Sequence, residues 1–194
     1  MRYMSTKHSR LHPRYARVIG VACVLSICLA FAFSNYAFAY STEGGRWFGT
    51  PSSGCCADIG VQFNSIAQGY DRTGFNDAVD VWDGSPANVV FEIGTGALTV
   101  QDTSNSGVSW DGITNYNINI FGYFTNADVF LNYFYTRNYS AATIQGVAAH
   151  ELGHAVGLGH TNGCVLMTPN TPTRESCGIT GPVSDDINGV NSLY

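Results

Sequence analysis

Lysine is missing from the sequence after Lys7, and no positive charge of any kind stands between Arg17 and Arg46. Beyond position 39 only Arg46, Arg72, Arg137 and Arg174 are basic. They face fourteen acidic residues, a net charge of −10. Non-specific nucleic-acid binding needs a basic footprint, so the charge argues against that class. Histidine is scarce as well: only His150, His154 and His160 follow position 39. Charged residues make up 12% and hydrophobic ones 45%, which excludes a disordered polyampholyte. No repeat and no low-complexity linker divides the 194 residues, a length that suits one domain.

The missing positive charge is concentrated at the start. Arg2, Lys7, Arg10, Arg14 and Arg17 precede an uncharged apolar run over 18–33, and Ala37-Phe38-Ala39 follows. A basic start, an apolar stretch and a small-x-small site predict a secretory signal peptide over 1–39. The run is short for a membrane span, which disfavours an uncleaved anchor. The expected product is secreted, starts at Tyr40 and carries no further stretch able to cross a membrane.

Residues 40–56 are rich in Gly and Ser and predict an irregular N-terminal segment. Ile59, Val61 and Phe63 alternate with polar or small residues and predict a strand. Phe75, Ala78, Val79 and Trp82 form the apolar stripe of a helix, with Thr73 as its N-cap. Strands follow at 89–93, 98–100, 117–124 and 127–135. In the third of these, Ile118, Ile120 and Phe124 share one side. Ser140 caps a long helix, which Gly157 and Gly159 end. After a Gly/Pro-rich loop, Ser184-Asp185-Asp186 opens a last short helix. This order predicts an α+β fold with the sheet covered on one face.

All three remaining histidines fall in one string, His150-Glu151-Leu152-Gly153-His154-Ala155-Val156-Gly157-Leu158-Gly159-His160. His150 and His154 are one helical turn apart on one face, so both imidazoles can reach one zinc ion. Glu151 sits beside the first of them, within reach of a water molecule at the metal. Gly157 allows a sharp turn that returns His160 as third ligand. Three protein ligands leave the fourth position of Zn2+ open, the arrangement of a catalytic site. Glu151 is then the general base.

The string resembles the metzincin metallopeptidases, and within them the matrixins. Val165-Leu166-Met167-Thr168-Pro169 is similar to their methionine turn. Val147-Ala148-Ala149 before His150, the segment Ser184 to Val190, and Ala78 with Trp82 also look matrixin-like. The resemblance covers 57–194 and implies a zinc endopeptidase of extended polypeptide substrates, expected to be a monomer. It implies a twisted, mostly parallel five-stranded sheet over two helices, with a lower subdomain at 161–194. The strand at 117–124 would be an antiparallel edge that pairs with substrate. Met167 would floor the site without ligating. Gly146 would open a deep apolar pocket for the residue after the scissile bond, walled by Pro169, Asn170 and Thr171. Astacin-like metzincins have a Tyr where Pro169 stands, so no such Tyr assists here. No P-R-C-G string is present, so cysteine-switch latency is not expected.

Cys55, Cys56, Cys164 and Cys177 allow three pairings. Snapalysin-like metzincins suggest a Cys164–Cys177 bridge. Pairing Cys164 and Cys177 with Cys55 and Cys56 instead avoids a vicinal bridge and is favoured. Matrixins often bind structural Ca2+. Asp71, Asp77, Asp102 and Asp111 are available, yet no calcium-loop pattern is present and solvated surface carboxylates explain them equally. The competing function is a catalytically weak, zinc-containing peptide-binding protein or adhesin. Retention of Glu151 disfavours it, because binding alone needs no base.

Overall fold

The computed structural model describes residues 40–48, 56–64, 66 and 69–194. The expected leader 1–39 and Cys55 lie outside the described residues. The elements in order are β1 (Ser41–Thr42), β2 (Ala57–Phe63), α1 (Gly69–Asp83), β3 (Val89–Ile93), β4 (Leu98–Thr103), β5 (Gly112–Ile118), β6 (Phe124–Asn132), α2 (Tyr133–Thr136), α3 (Ala141–Ala155), β7 (Leu158–Gly159), α4 (Thr171–Ser176) and α5 (Ser184–Leu193). Among the described residues, no helix is long and apolar enough to cross a membrane.

Five strands make one sheet in the order β3-β2-β4-β6-β5, parallel except for β5. This is the expected α+β architecture. The inward residues Ile59, Val61, Leu98, Val100, Val129 and Leu131 meet α1 and α3 in one core. From α1, Phe75, Ala78 and Trp82 are fully buried. Trp82 Nε1 donates to Ala149 O at 2.9 Å, so the largest core residue ties α1 to the middle of α3. Ser140 caps α3 as expected, its side chain accepting from Thr143 N at 3.1 Å. α3 then runs through the core with Ile144, Val147, Ala148, Leu152 and Ala155 all buried.

Several expectations change. α1 begins at Gly69, and Thr73 lies inside it, its hydroxyl donating to Gly69 O, so Thr73 is no N-cap. The edge strand occupies 112–118, and residues 119–123 turn the hairpin. Asn119 Oδ1 accepts from Phe121 N and Tyr123 N, which closes that turn, and Ile120 is 93% exposed. Local side-chain hydrogen bonding thus overrides the apolar alternation there. The strand expected at 127–135 stops at Asn132, which caps the single turn α2. The N-terminal segment is not wholly irregular: Ser41 and Thr42 pair antiparallel with Gly159 and Leu158. Within the expected loop, α4 forms over Thr171–Ser176. Cys164 is bonded to Cys177, with Cα atoms 5.5 Å apart. The favoured pairing of these two with Cys55 and Cys56 is therefore incorrect.

Asp71, at the start of α1, is fully buried rather than a solvated surface carboxylate. Burial pushes its carboxyl up to about 6; nearby Thr136 opposes the shift and Asp102 adds to it. A raised folded-state value means that folding favours the protonated form. The stability from this group is present below the ordinary value of 3.8 and is lost as pH rises through about 6. Asp71→Asn removes the penalty. Thermal melts at pH 8 are expected to show the variant more stable by on the order of 5 °C, with the difference shrinking towards pH 4.

Candidate active site

α3 delivers His150, Glu151 and His154, and the chain then turns at Val156-Gly157. Gly157 adopts φ +102°, in the left-handed region that a side chain disfavours. The turn leads through β7 to His160. The three expected ligands come together: His154 Nε2 lies 3.0 Å from His160 Nε2, and His150 Nε2 lies 3.2 Å from it. Donors held about 2.0–2.1 Å from a tetrahedral zinc ion are separated by roughly 3.3–3.4 Å. Among the described residues this trio is the one cluster of metal-ligating side chains.

Two carbonyls orient the first two of these histidines. His150 Nδ1 lies 2.7 Å from Leu166 O, and His154 Nδ1 lies 2.8 Å from Leu158 O. Each carbonyl can only accept, so each Nδ1 carries the proton and each Nε2 presents a bare lone pair. Lone pairs that converge at this distance repel unless a cation lies between them, so the donor set fits a zinc ion. Burial, then the charge of Arg174, holds His150 well below its ordinary value, in the neutral form that ligates. Burial also lowers His160. His154 runs the other way. Burial opposes its protonation, but Glu43, Glu151 and the Leu158 carbonyl outweigh it.

Glu151 is buried at the floor of the cleft. Thr114 Oγ1, from β5, donates to Glu151 Oε2 at 2.8 Å and lies 2.9 Å from Glu151 O. Burial pushes the Glu151 carboxyl up to about 7, against the opposing pull of His154, Thr114 and Arg174. Met167 lies beneath the helix. A Cβ on Gly153 would come 2.4 Å from Met167 Sδ, so only glycine lets the methionine approach so closely. Asp186 of α5 secures this floor. Its Oδ2 accepts from Leu166 N at 3.0 Å and its Oδ1 from Met167 N at 3.1 Å.

The cleft has a volume of about 610 Å³ and is lined by the three histidines, Glu151, residues 109–114 and Tyr116 of the β5 side, and Pro169 to Pro172. A second cavity of about 220 Å³ opens beside it, with Gly146, Thr143 and Ile179 in its wall. Thr171 and Arg174 border both cavities. Of the expected pocket residues, Gly146 and Thr171 line the side cavity, whereas Pro169 and Asn170 line the main cleft. One cation also stands in the wall of the side cavity. Arg174 is buried in its wall, donating to Thr168 O at 2.5 Å and to Thr171 Oγ1 at 2.7 Å.

Four residues escaped the sequence. Thr114 and Tyr116 carry no signal there beyond lying near a strand. Arg174 is one of four cations after position 39, and that scarcity is its only mark. Glu43 lines the cleft from a segment read as irregular.

Comparison with known proteins agrees with the geometry. A stretch of 56 residues is 39% identical to metalloendoproteinase 1 of Glycine max, covering 28% of this chain and 18% of that one. Neutrophil collagenase of Homo sapiens is 45% identical over 49 residues, 25% of this chain and 10% of that one. The matched stretches thus span less than a fifth of either relative. Among solved structures, high choriolytic enzyme 1, a hatching enzyme zinc-protease from the medaka Oryzias latipes, superposes with a TM-score of 0.44 at 15% identity. It covers 77% of this chain and 98% of that one. The family model for matrixins matches residues 52–194, a span that holds the three histidines, Glu151, Met167 and Asp186, and the chain belongs to the matrixin family of peptidases.

Proposed function

We propose that this matrixin is a secreted, zinc-dependent endopeptidase that cleaves extended polypeptides with Glu151 as general base. One observation carries the reading: three imidazole Nε2 atoms converge at the floor of an open cleft with a buried carboxylate beside them. His150, His154 and His160 would hold a zinc ion, which would supply the Lewis acidity that acidifies water and polarises a carbonyl. Glu151 accepts the proton of the attacking water and passes it to the leaving amine. Thr114 fixes the carboxylate through Oε2.

Substrate binding follows from the sheet. β5 is the last strand in the order and lies along the cleft, so a peptide can add to it as a further strand. The side chain after the scissile bond then enters the cavity beside Gly146. The reading of residues 1–39 as a leader rests on the basic start and the apolar run at 18–33. N-terminal sequencing of the secreted product is expected to begin at Tyr40; a start at Met1 would count against export by cleavage.

Glu151→Gln keeps shape and removes the base. It is expected to lower kcat by about 10²–10⁴-fold while zinc binding, read by chelator competition, persists. Full activity in this variant would overturn the proposed base. Removal of zinc by chelation should abolish hydrolysis, and added Zn2+ should restore it. A Cβ at position 146 would lie 3.2 Å from Ile179 O, so the cavity closes readily. Gly146→Leu should cut kcat/KM for substrates with large residues after the cleaved bond by more than about tenfold, with less effect on small ones. Profiling of a peptide library reads both.

A further inference from the structure

One wall of the cleft comes from outside the matched family region. That region starts at residue 52, and residues 41–47 precede it. These residues wrap the turn between the second and third histidines. Ser41 and Thr42 pair with Gly159 and Leu158, and Glu43 N donates to Gly157 O at 2.8 Å. A Cβ on Gly157 would come 2.4 Å from Gly45 O, so the segment lies directly on the turn. Arg46 donates to Leu193 O and Trp47 Nε1 to Ala155 O, both at 2.8 Å. This path places the Glu43 carboxylate behind His154. Glu43 Oε1 lies 3.5 Å from His154 Nδ1, and Tyr116 OH donates to Glu43 Oε2 at 2.8 Å.

We propose that Glu43 is a positioning residue of the metal site, its carboxylate steered by Tyr116 so that it holds the His154 ring with Nδ1–H turned outward and Nε2 turned to the metal. The inference rests on the zinc reading given above. Glu43 meets the ring on its Nδ1 side, while Nε2 faces His160 at 3.0 Å. It therefore acts through His154 and not as a ligand. A carboxylate behind a ligating imidazole fixes its tautomer and raises its basicity. Leu158 O lies 2.8 Å from the same Nδ1, and Leu158 is the residue to which Thr42 pairs. The N-terminal segment thus supports His154 twice, once by charge and once by bracing the carbonyl.

A role confined to folding belongs to the Glu43 backbone, which donates to Gly157. Side-chain variants separate the two roles. Glu43→Gln, Glu43→Ala and Tyr116→Phe in the full chain are compared with Glu92→Gln, an exposed site on β3. The readouts are zinc affinity by competition with a chromogenic chelator, the thermal midpoint of the metal-free chain, and kcat and KM. Both Glu43 variants are expected to loosen zinc by about 10–100-fold and to lower kcat, with KM within about twofold. Tyr116→Phe should act in the same direction but less, and Glu92→Gln should change nothing. The metal-free midpoint should stay at the wild-type value. Zinc affinity within about threefold of wild type in Glu43→Gln overturns the proposal. So does a lowered metal-free midpoint large enough to account for the loss. Should Glu43→Ala fold poorly, the isosteric Gln variant carries the test. A wild-type chain that binds zinc but cleaves no peptide removes the peptidase reading and leaves this comparison in force. A wild-type chain that binds no zinc overturns both.

Discussion

Two hydrogen bonds from imidazole to main chain set the terms for the rest of the site. Leu166 O and Leu158 O each take an Nδ1 proton, and in doing so they aim two lone pairs at the same point. A helix can place His150 and His154 one turn apart, but it cannot fix the rotation of either ring. The carbonyls do that, and both belong to segments that follow α3. The site therefore depends on where the chain goes after the helix as much as on the helix.

That dependence explains the rigidity around the methionine turn. Leu166 must offer its carbonyl upward while its N–H is held from below, and Asp186 supplies the second contact. The same carboxylate holds Met167 N and also accepts from Val183 N at the start of α5. One buried acid thus joins α5 to the floor of the cleft. These three backbone hydrogen bonds offset part of the cost of burying the carboxylate, and burial still holds it above its ordinary value. The Cys164–Cys177 bridge closes the loop that contains this turn.

Much of this was legible in the sequence because it is local. The ligand spacing, the Ser140 cap and the glycine turn at 157 depend on neighbours within a few residues. The strand at 89–93 and the helix from Ser184 were also readable, since their patterns are uninterrupted. What stayed hidden is non-local. Thr114 reaches Glu151 across 37 positions, and Tyr116 reaches Glu43 across 73. Neither residue type announces such a contact. The edge strand was misplaced because Asn119 bonds to its own turn, which apolar alternation cannot reveal. The disulfide was misassigned because avoiding a vicinal bridge says nothing about distance in the folded chain.

The brace around Gly157 has a consequence for how the molecule assembles. Trp47 N donates to Tyr194 OH, and Arg46 donates to Leu193 O, each pair 147 positions apart. Closing so long a loop costs more chain entropy than forming the local turns of α3. The helix bearing His150 and His154 can thus form early, whereas the segment that secures His154 from behind arrives among the last contacts. A partly folded chain would hold metal loosely. Tight retention then becomes a property of the finished fold, so the grip on zinc reports that folding is complete.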